Sequence, residues 1–170
     1  MRNFKLTIEY DGTDFQGWQV QPGKNRTVQS EIEKVLKILF TKKNRLMGSG
    51  RTDSGVHAQG QVAHFKAVTR MPTEEMVRAF NANLPDDIAV LSCEEVPLSF
   101  HAQHNVRRKT YRYTIVNRLI RPVLKRRDVV HVAHPLNLSR MRKEAKALIG
   151  KHNFRAFMAS GSNLQLAPAK

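Results

Sequence analysis

Cysteine is all but missing from this chain: Cys93 is the only one in 170 residues. An internal disulfide is thereby excluded, and the thiol is expected to be a small buried residue without a chemical role. Acidic residues are also scarce, 14 Asp plus Glu against 29 Lys plus Arg, which leaves a formal net charge of +15. Such a surface field calls for a polyanionic partner. No apolar run approaches the roughly 20 residues that cross a bilayer, and neither an amphipathic anchor nor a lipidation signal is visible, so nucleic acid is expected and a membrane is not. The N-terminus, Met-Arg-Asn-Phe-Lys-Leu-Thr-Ile-Glu-Tyr, alternates charged and apolar residues. It lacks the continuous apolar stretch of a secretory signal, which implies a cytoplasmic protein.

What is present is enough apolar material, 41% of residues, for one domain core and part of a second. Phe4, Leu6, Ile8 and Tyr10 alternate with Lys5, Thr7 and Glu9, the period of a half-buried strand. Thr27 is placed to cap a helix whose Val28, Ile32, Val35, Leu36 and Leu39 recur at helical spacing. Strand-like runs follow at residues 45–50 and 61–65, joined by a glycine-rich connection. A second helix starts at Thr73 with Glu74 and Glu75, carries Val77, Phe80 and Leu84, and is stopped by Pro85; residues 88–96 then read as a strand. Strand, helix, strand, strand, helix, strand is the split βαβ order of ferredoxin-like folds. The expected class is therefore α+β, with a ferredoxin-like subdomain over residues 1–97 and an incomplete second α+β subdomain over 98–170. The second begins with a strand through Tyr111, Tyr113 and Ile115, continues with another through Val129, Val130 and Val132, and adds a helix from Ser139 to Gly150. Too few residues remain after that helix to finish the layer, so the chain looks cut short.

Residues 48–57 pack three glycines, Arg51, Thr52, Asp53 and His57 between two strands, so the backbone can turn tightly and present polar groups at a sheet edge. Two readings are open from spacing alone. Asp53 caps a turn through Asx-type bonds with Arg51 beside it, or the segment is a site. A phosphate-binding P-loop is rejected, because no Gly-Lys-Ser/Thr ending and no helical pattern follow. The histidine pairs His101/His104 and His131/His134 lack the cysteines or carboxylates that complete a metal set, and no metal is expected.

Gly50-Arg51-Thr52-Asp53-Ser54-Gly55-Val56-His57, followed by Gly60-Gln61-Val62-Ala63-His64-Phe65, closely resembles the catalytic signature of the tRNA pseudouridine synthase A family. Further matches are Tyr10-Asp11-Gly12-Thr13-Asp14-Phe15-Gln16-Gly17-Trp18-Gln19, Thr27-Val28-Gln29-Ser30-Glu31-Ile32-Glu33, Phe100-His101-Ala102 and Tyr111-Arg112-Tyr113. Together they cover nearly the whole chain to about Phe157. The resemblance implies a pseudouridine synthase fold, isomerisation of uridine in tRNA with the anticodon stem-loop as target region, a homodimer, and no cofactor. It makes Asp53 the catalytic carboxylate and Tyr111 the active-site tyrosine, whose ring can stack on the flipped uracil. Arg51, two residues from Asp53, is placed to keep the carboxylate ionised or to fill the space of the extruded base.

Arg107, Arg108 and Lys109 are candidates for contacts to RNA phosphates, as are Arg121, Lys125, Arg126 and Arg127. Tyr113 reads as a strand tyrosine on a core face, and Trp18 as the anchor of a surface loop, with stacking on RNA as its alternative. Family members are longer, with a C-terminal half that supplies a further strand and helix pair, a basic active-site residue and an apolar segment lining the cleft; none of these is found after Phe157. Two functions remain in view, an active tRNA uridine isomerase and a catalytically impaired RNA-binding module on the same scaffold. A generic RRM-type RNA binder shares the layout but needs paired aromatics on its central strands, where residues 45–65 offer only Phe65.

Overall fold

A computed structural model describes residues 1–23, 26–40 and 44–155. The chain divides into two compact units, Met1–Tyr113 and a second beginning at Thr114.

The first unit is built on an antiparallel four-stranded sheet: β1 (Arg2–Tyr10), β2 (Met47–Gly48), β3 (Ala58–Ala67) and β4 (Ile88–Val96) in the order β2-β3-β1-β4. Helix α1 (Val28–Leu39) connects β1 to β2, and α2 (Thr73–Asn81) connects β3 to β4. The alternation in β1 sets the layering. Phe4, Leu6 and Ile8 are wholly buried, and in register Phe4 meets Phe65 and Leu6 meets Ala63 across the β1–β3 ladder. Phe65 is the hub of this core, with ring centroids 5.4 Å from Phe4, 5.6 Å from Phe40 and 5.9 Å from Phe80. The buried faces of both helices, Val28, Ile32, Val35 and Leu36 of α1 and Met76 and Phe80 of α2, join the same cluster.

Helix α1 begins where the sequence predicts. Thr27 accepts from the Ser30 amide while Ser30 Oγ accepts from the Thr27 amide, each at 3.2 Å, so two otherwise orphaned donors are satisfied. Helix α2 also begins at the expected Thr73, but its cap residue is Pro72, which makes no side-chain bond. Cys93 is buried in β4, and burial pushes its thiol up to about 11.

Residues 97–105 run back over the other face of the sheet and belong to the first unit. Asn3 Nδ2 donates to the carbonyls of Pro97 and Phe100, 3.0 Å each, and the Ala102 amide donates to His64 Nδ1 at 3.2 Å. His64, 5% exposed, stacks edge-on against Phe100 and lies 4.8 Å from the His101 ring.

The strand expected through Tyr111 and Tyr113 is not formed. β5 is confined to Ile115–Asn117 and pairs in parallel with β6 (Val130–Val132); Tyr111 and Tyr113 precede it in irregular backbone and are 73% and 82% exposed. The alternation there is genuine in sequence, but no neighbouring strand accepts its hydrogen bonds. The second unit continues with α3 (Leu138–Ala145), capped by Asn137 and starting one residue before the expected Ser139, and a 3₁₀ turn at Lys146–Leu148 replaces the expected last helical turn. Among its described residues none is buried. Phe157 and the tail after it lie outside the described residues.

Two outcomes follow from this packing. Phe65→Ala removes the ring on which three others converge and is expected to lower unfolding stability by about 3–5 kcal/mol, measured by denaturant titration. Burial, with His101 and Lys66 nearby, lowers the pKa of His64 against a weaker opposing hydrogen bond to the Met47 backbone. Its neutral form thus contributes stability that is full above the ordinary histidine value of about 6.5 and is lost as pH falls through the lower folded value. Thermal unfolding between pH 7.5 and 5 should show that decline in the native chain and a smaller one in His64→Gln.

Candidate active site

The segment around Asp53 is held from below by the loop that leaves β1. Trp18 donates its amide to Thr52 O at 3.0 Å, the Gly55 amide donates to Phe15 O at 3.3 Å, and Ser54 Oγ donates to the same carbonyl at 3.1 Å. These bonds bring two backbones into contact, and glycine is what permits it. A Cβ on Gly12 would stand 2.1 Å from Val56 O; one on Gly17, whose φ is +86°, would stand 2.6 Å from Thr52 O. Only a residue without a Cβ fits either position.

Phe15 is itself clamped. The Arg26 guanidinium lies 4.1 Å over its ring and forms a bidentate pair with Asp87, 2.6 and 2.9 Å. The Asp11 amide donates to Asp87 O at 3.0 Å, so the start of α1, the α2–β4 connection and the loop after β1 close on one another.

Beneath Thr52 the core reaches the site directly. Tyr10, buried at the end of β1, shares a 2.8 Å hydrogen bond between its hydroxyl and Thr52 Oγ1. Burial raises the Tyr10 pKa, with hydrogen bonds to Thr52 and Gln61 acting in the opposite direction. Gln61 of β3 reaches the segment from the other side: its Nε2 donates to Gly50 O at 2.8 Å and its Oε1 accepts from Ser49 Oγ at 3.0 Å. The segment is thus tied at Ser49, Gly50, Thr52, Ser54 and Gly55.

Asp53 sits at the exposed crest of this frame. The turn over residues 53–56 is closed by the Val56 amide donating to the backbone carbonyl of Asp53 at 3.2 Å, with Gly55 at φ +77°. The carboxylate takes no part in it and makes no hydrogen bond or ion pair among the described residues. Asx capping therefore does not explain Asp53. An exposed carboxylate on a rigid loop can serve as a base or a nucleophile toward a docked ligand.

The neighbours arrange themselves unevenly. Arg51 is exposed beside Asp53, and no ion pair joins the two among the described residues. Lys109 does reach the segment: a Cβ on Gly50 would lie 3.0 Å from its Nζ. Arg112 Nη1 approaches Gln59 Oε1 at 3.5 Å, a marginal bond that draws the same stretch toward β3. Arg107 and Arg108 are exposed, and Tyr111 makes no contact with Asp53 among the described residues. His57 Nδ1 accepts from the Gly12 amide at 3.2 Å and also lies 3.1 Å from Asp11 Oδ1. One nitrogen cannot serve both: the amide bond requires it unprotonated, and the aspartate contact becomes a hydrogen bond only once it carries a proton.

Trp18 is the loop anchor that the sequence predicts, and the alternative of stacking on RNA falls away. It is 3% exposed, its indole covers Gly48 so closely that a Cβ there would be 2.4 Å from Nε1, and its ring lies 6.0 Å from Tyr10. It is a core residue with no face left for RNA. Tyr10 and Gln61 are the residues that sequence reasoning missed as parts of the site. Both fall inside recognisable motifs, but only the fold shows that they meet under Thr52 and Gly50. Among the described residues no group of three or more His, Cys, Asp or Glu side chains is placed to hold a metal ion.

Comparison with known proteins bears on this arrangement. A family model described as tRNA pseudouridine synthase matches residues 6–105. The tRNA pseudouridine synthase A of Thermoanaerobacter sp. (strain X514) is 46% identical over 164 residues, 96% of this chain and 66% of that protein. The namesake from Clostridium botulinum (strain Eklund 17B / Type B) is 47% identical over 163 residues, again 66% of its length. The tRNA pseudouridine synthase A 2 of Clostridium perfringens (strain 13 / Type A) is 44% identical over 165 residues. The chain thus spans about 66% of the length of relatives it matches along nearly its whole extent, and the matched stretch contains the entire Asp53 segment with the loop that clamps it. This chain belongs to the tRNA pseudouridine synthase family.

Proposed function

We propose that the chain is a tRNA pseudouridine synthase that isomerises uridine to pseudouridine in tRNA, in the anticodon stem-loop, with Asp53 as its essential carboxylate. The observation that carries this reading is the Asp53 carboxylate itself, exposed, unpartnered among the described residues, and fixed by a loop whose every turn is bonded to the scaffold. The reaction breaks the bond between uracil N1 and ribose C1′ and forms one from C5 to the same carbon. N1 gains a proton and C5 loses one, so the change is neutral in electrons. A carboxylate serves it by acting at the sugar or the base while positive charge develops on the ribose.

Arg51 and Tyr111 are assigned to the substrate and Arg107, Arg108 and Lys109 to the RNA backbone. Lys109, already against Gly50, is best placed to bring a phosphate to the crest. The exposed ring of Tyr111 is available to stack on an extruded base, whose unstacking costs on the order of a few kcal/mol. The βαββαβ order and the β2-β3-β1-β4 sheet support a ferredoxin-like subdomain over residues 1–97, with 98–170 as the start of an incomplete second α+β subdomain in a pseudouridine synthase fold. A homodimer and a cytoplasmic location complete the reading. Among the described residues no helix is long and apolar enough to cross a membrane.

A second reading is favoured by one observation: residues 114–155 contain no buried residue, so the described part of the second unit has no core of its own. On that reading the chain is a catalytically impaired RNA-binding module. Tritium release from tRNA labelled at uracil C5 separates the two. Release by the native chain that disappears in Asp53→Ala, compared at equal RNA occupancy, is the expected result; absence of release with retained tRNA binding would establish the impaired module and end the enzymatic reading.

A further inference from the structure

At the end of β3 remote from Asp53, β2 stops pairing at His64, and from Phe65 onward no strand covers β3 on that side among the described residues. A cavity of about 530 Å³ opens there. From Ala58 to His64 the strand rises about 20 Å, so the cavity is well separated from the Asp53 crest.

Its lining is chemically one-sided. Arg45 and Lys66 are exposed cations without an ion pair among the described residues, and no carboxylate lines the cavity. Asn44 and His64 are further polar lining residues, and Asn44 Nδ2 is buried and has no hydrogen-bond acceptor. A buried donor left unsatisfied is destabilising, and an acceptor entering the cavity would relieve that cost. Met47 and Val68 form apolar walls beside these groups.

We propose that this cavity is a subsite for one backbone phosphate of bound RNA, with Arg45 and Lys66 neutralising the charge, Asn44 Nδ2 donating to a phosphate oxygen, and Met47 and Val68 against the adjoining ribose. The inference rests on the RNA-binding reading given above and extends it to a place that motif matching does not reach. A planar guanidinium and an ammonium lining one cavity suit a tetrahedral anion. The unpaired amide adds a donor whose contribution is independent of salt.

The test is tRNA binding by fluorescence anisotropy across a salt series, using the whole chain. Arg45→Ala with Lys66→Ala should weaken binding and reduce the slope of log affinity against log salt by about 0.8, the effect of one lost phosphate contact. Lys37→Ala with Arg78→Ala removes the same charge from the exposed faces of α1 and α2 and should alter the slope by much less. Asn44→Ala should weaken binding while leaving the slope unchanged. Equal effects of the two charge-removing pairs would overturn the subsite and leave RNA binding as a diffuse property of the +15 surface. A native chain with no salt-dependent tRNA binding would overturn both the subsite and the RNA reading beneath it. Circular dichroism of each variant excludes misfolding as the origin of a loss.

Discussion

Everything at the candidate site depends on two backbones lying closer together than side chains allow. Gly12 against Val56 and Gly17 against Thr52 are contacts without room for a Cβ, and they let the loop after β1 donate and accept along the Asp53 segment. The consequence is mechanical. A carboxylate that must act on a docked nucleotide has to be presented at a fixed height, yet it cannot be fixed by its own hydrogen bonds without losing its reactivity. Here the restraint is carried by Ser49, Gly50, Thr52, Ser54 and Gly55, and the Asp53 carboxylate is left outside the network.

That restraint is transmitted to the core by few residues. Tyr10 ends β1 and touches Thr52; Gln61, opposite Ile8 on β3, holds Gly50. The β1 ladders shift register between Thr7 and Ile8 on the β4 side and between Ile8 and Tyr10 on the β3 side. Such bulges bend a strand and re-aim its side chains. Both fall at the end of β1 that supports the site, whereas the pairing around Phe4 and Phe65 is regular. The sheet is therefore a packed platform at one end and a shaped mount at the other.

How much of this was legible in the sequence depended on whether a local rule had a local cause. Thr27 caps α1 because the capping box is completed by Ser30 three residues on, and residues 88–96 form β4 because their apolar positions face a core built from the same chain. The Asp53 segment was recognisable from its glycines and polar residues, and the alternative of an Asx cap could be removed only by seeing which atoms of Asp53 close the turn. Tyr111 and Tyr113 obey the same alternation as β1 and yet form no strand, because a strand needs a partner, and residues 107–113 have none among the described residues. Trp18 anchors its loop as the motif suggests, but the surface it anchors on is made by Gly48, thirty positions away in the chain, and is visible only in the fold.

The distribution of charge gives the last link between fold and function. With 29 basic and 14 acidic residues, most cations cannot be paired, and their placement decides what kind of polyanion the surface accepts. Several acidic residues are committed to the scaffold: Glu94 holds Lys5, Glu95 holds Arg2, Glu31 and Asp87 hold Arg26. Lys109 stands against the Asp53 segment, while Arg45 and Lys66 stand at the far end of β3. A compact anion would meet only one of these places. Only an extended one, with charge repeating along its length, meets both, and steering such a ligand across the sheet edge brings successive residues past the exposed carboxylate. On the proposed RNA-binding reading, this spacing suits a folded polynucleotide better than a mononucleotide.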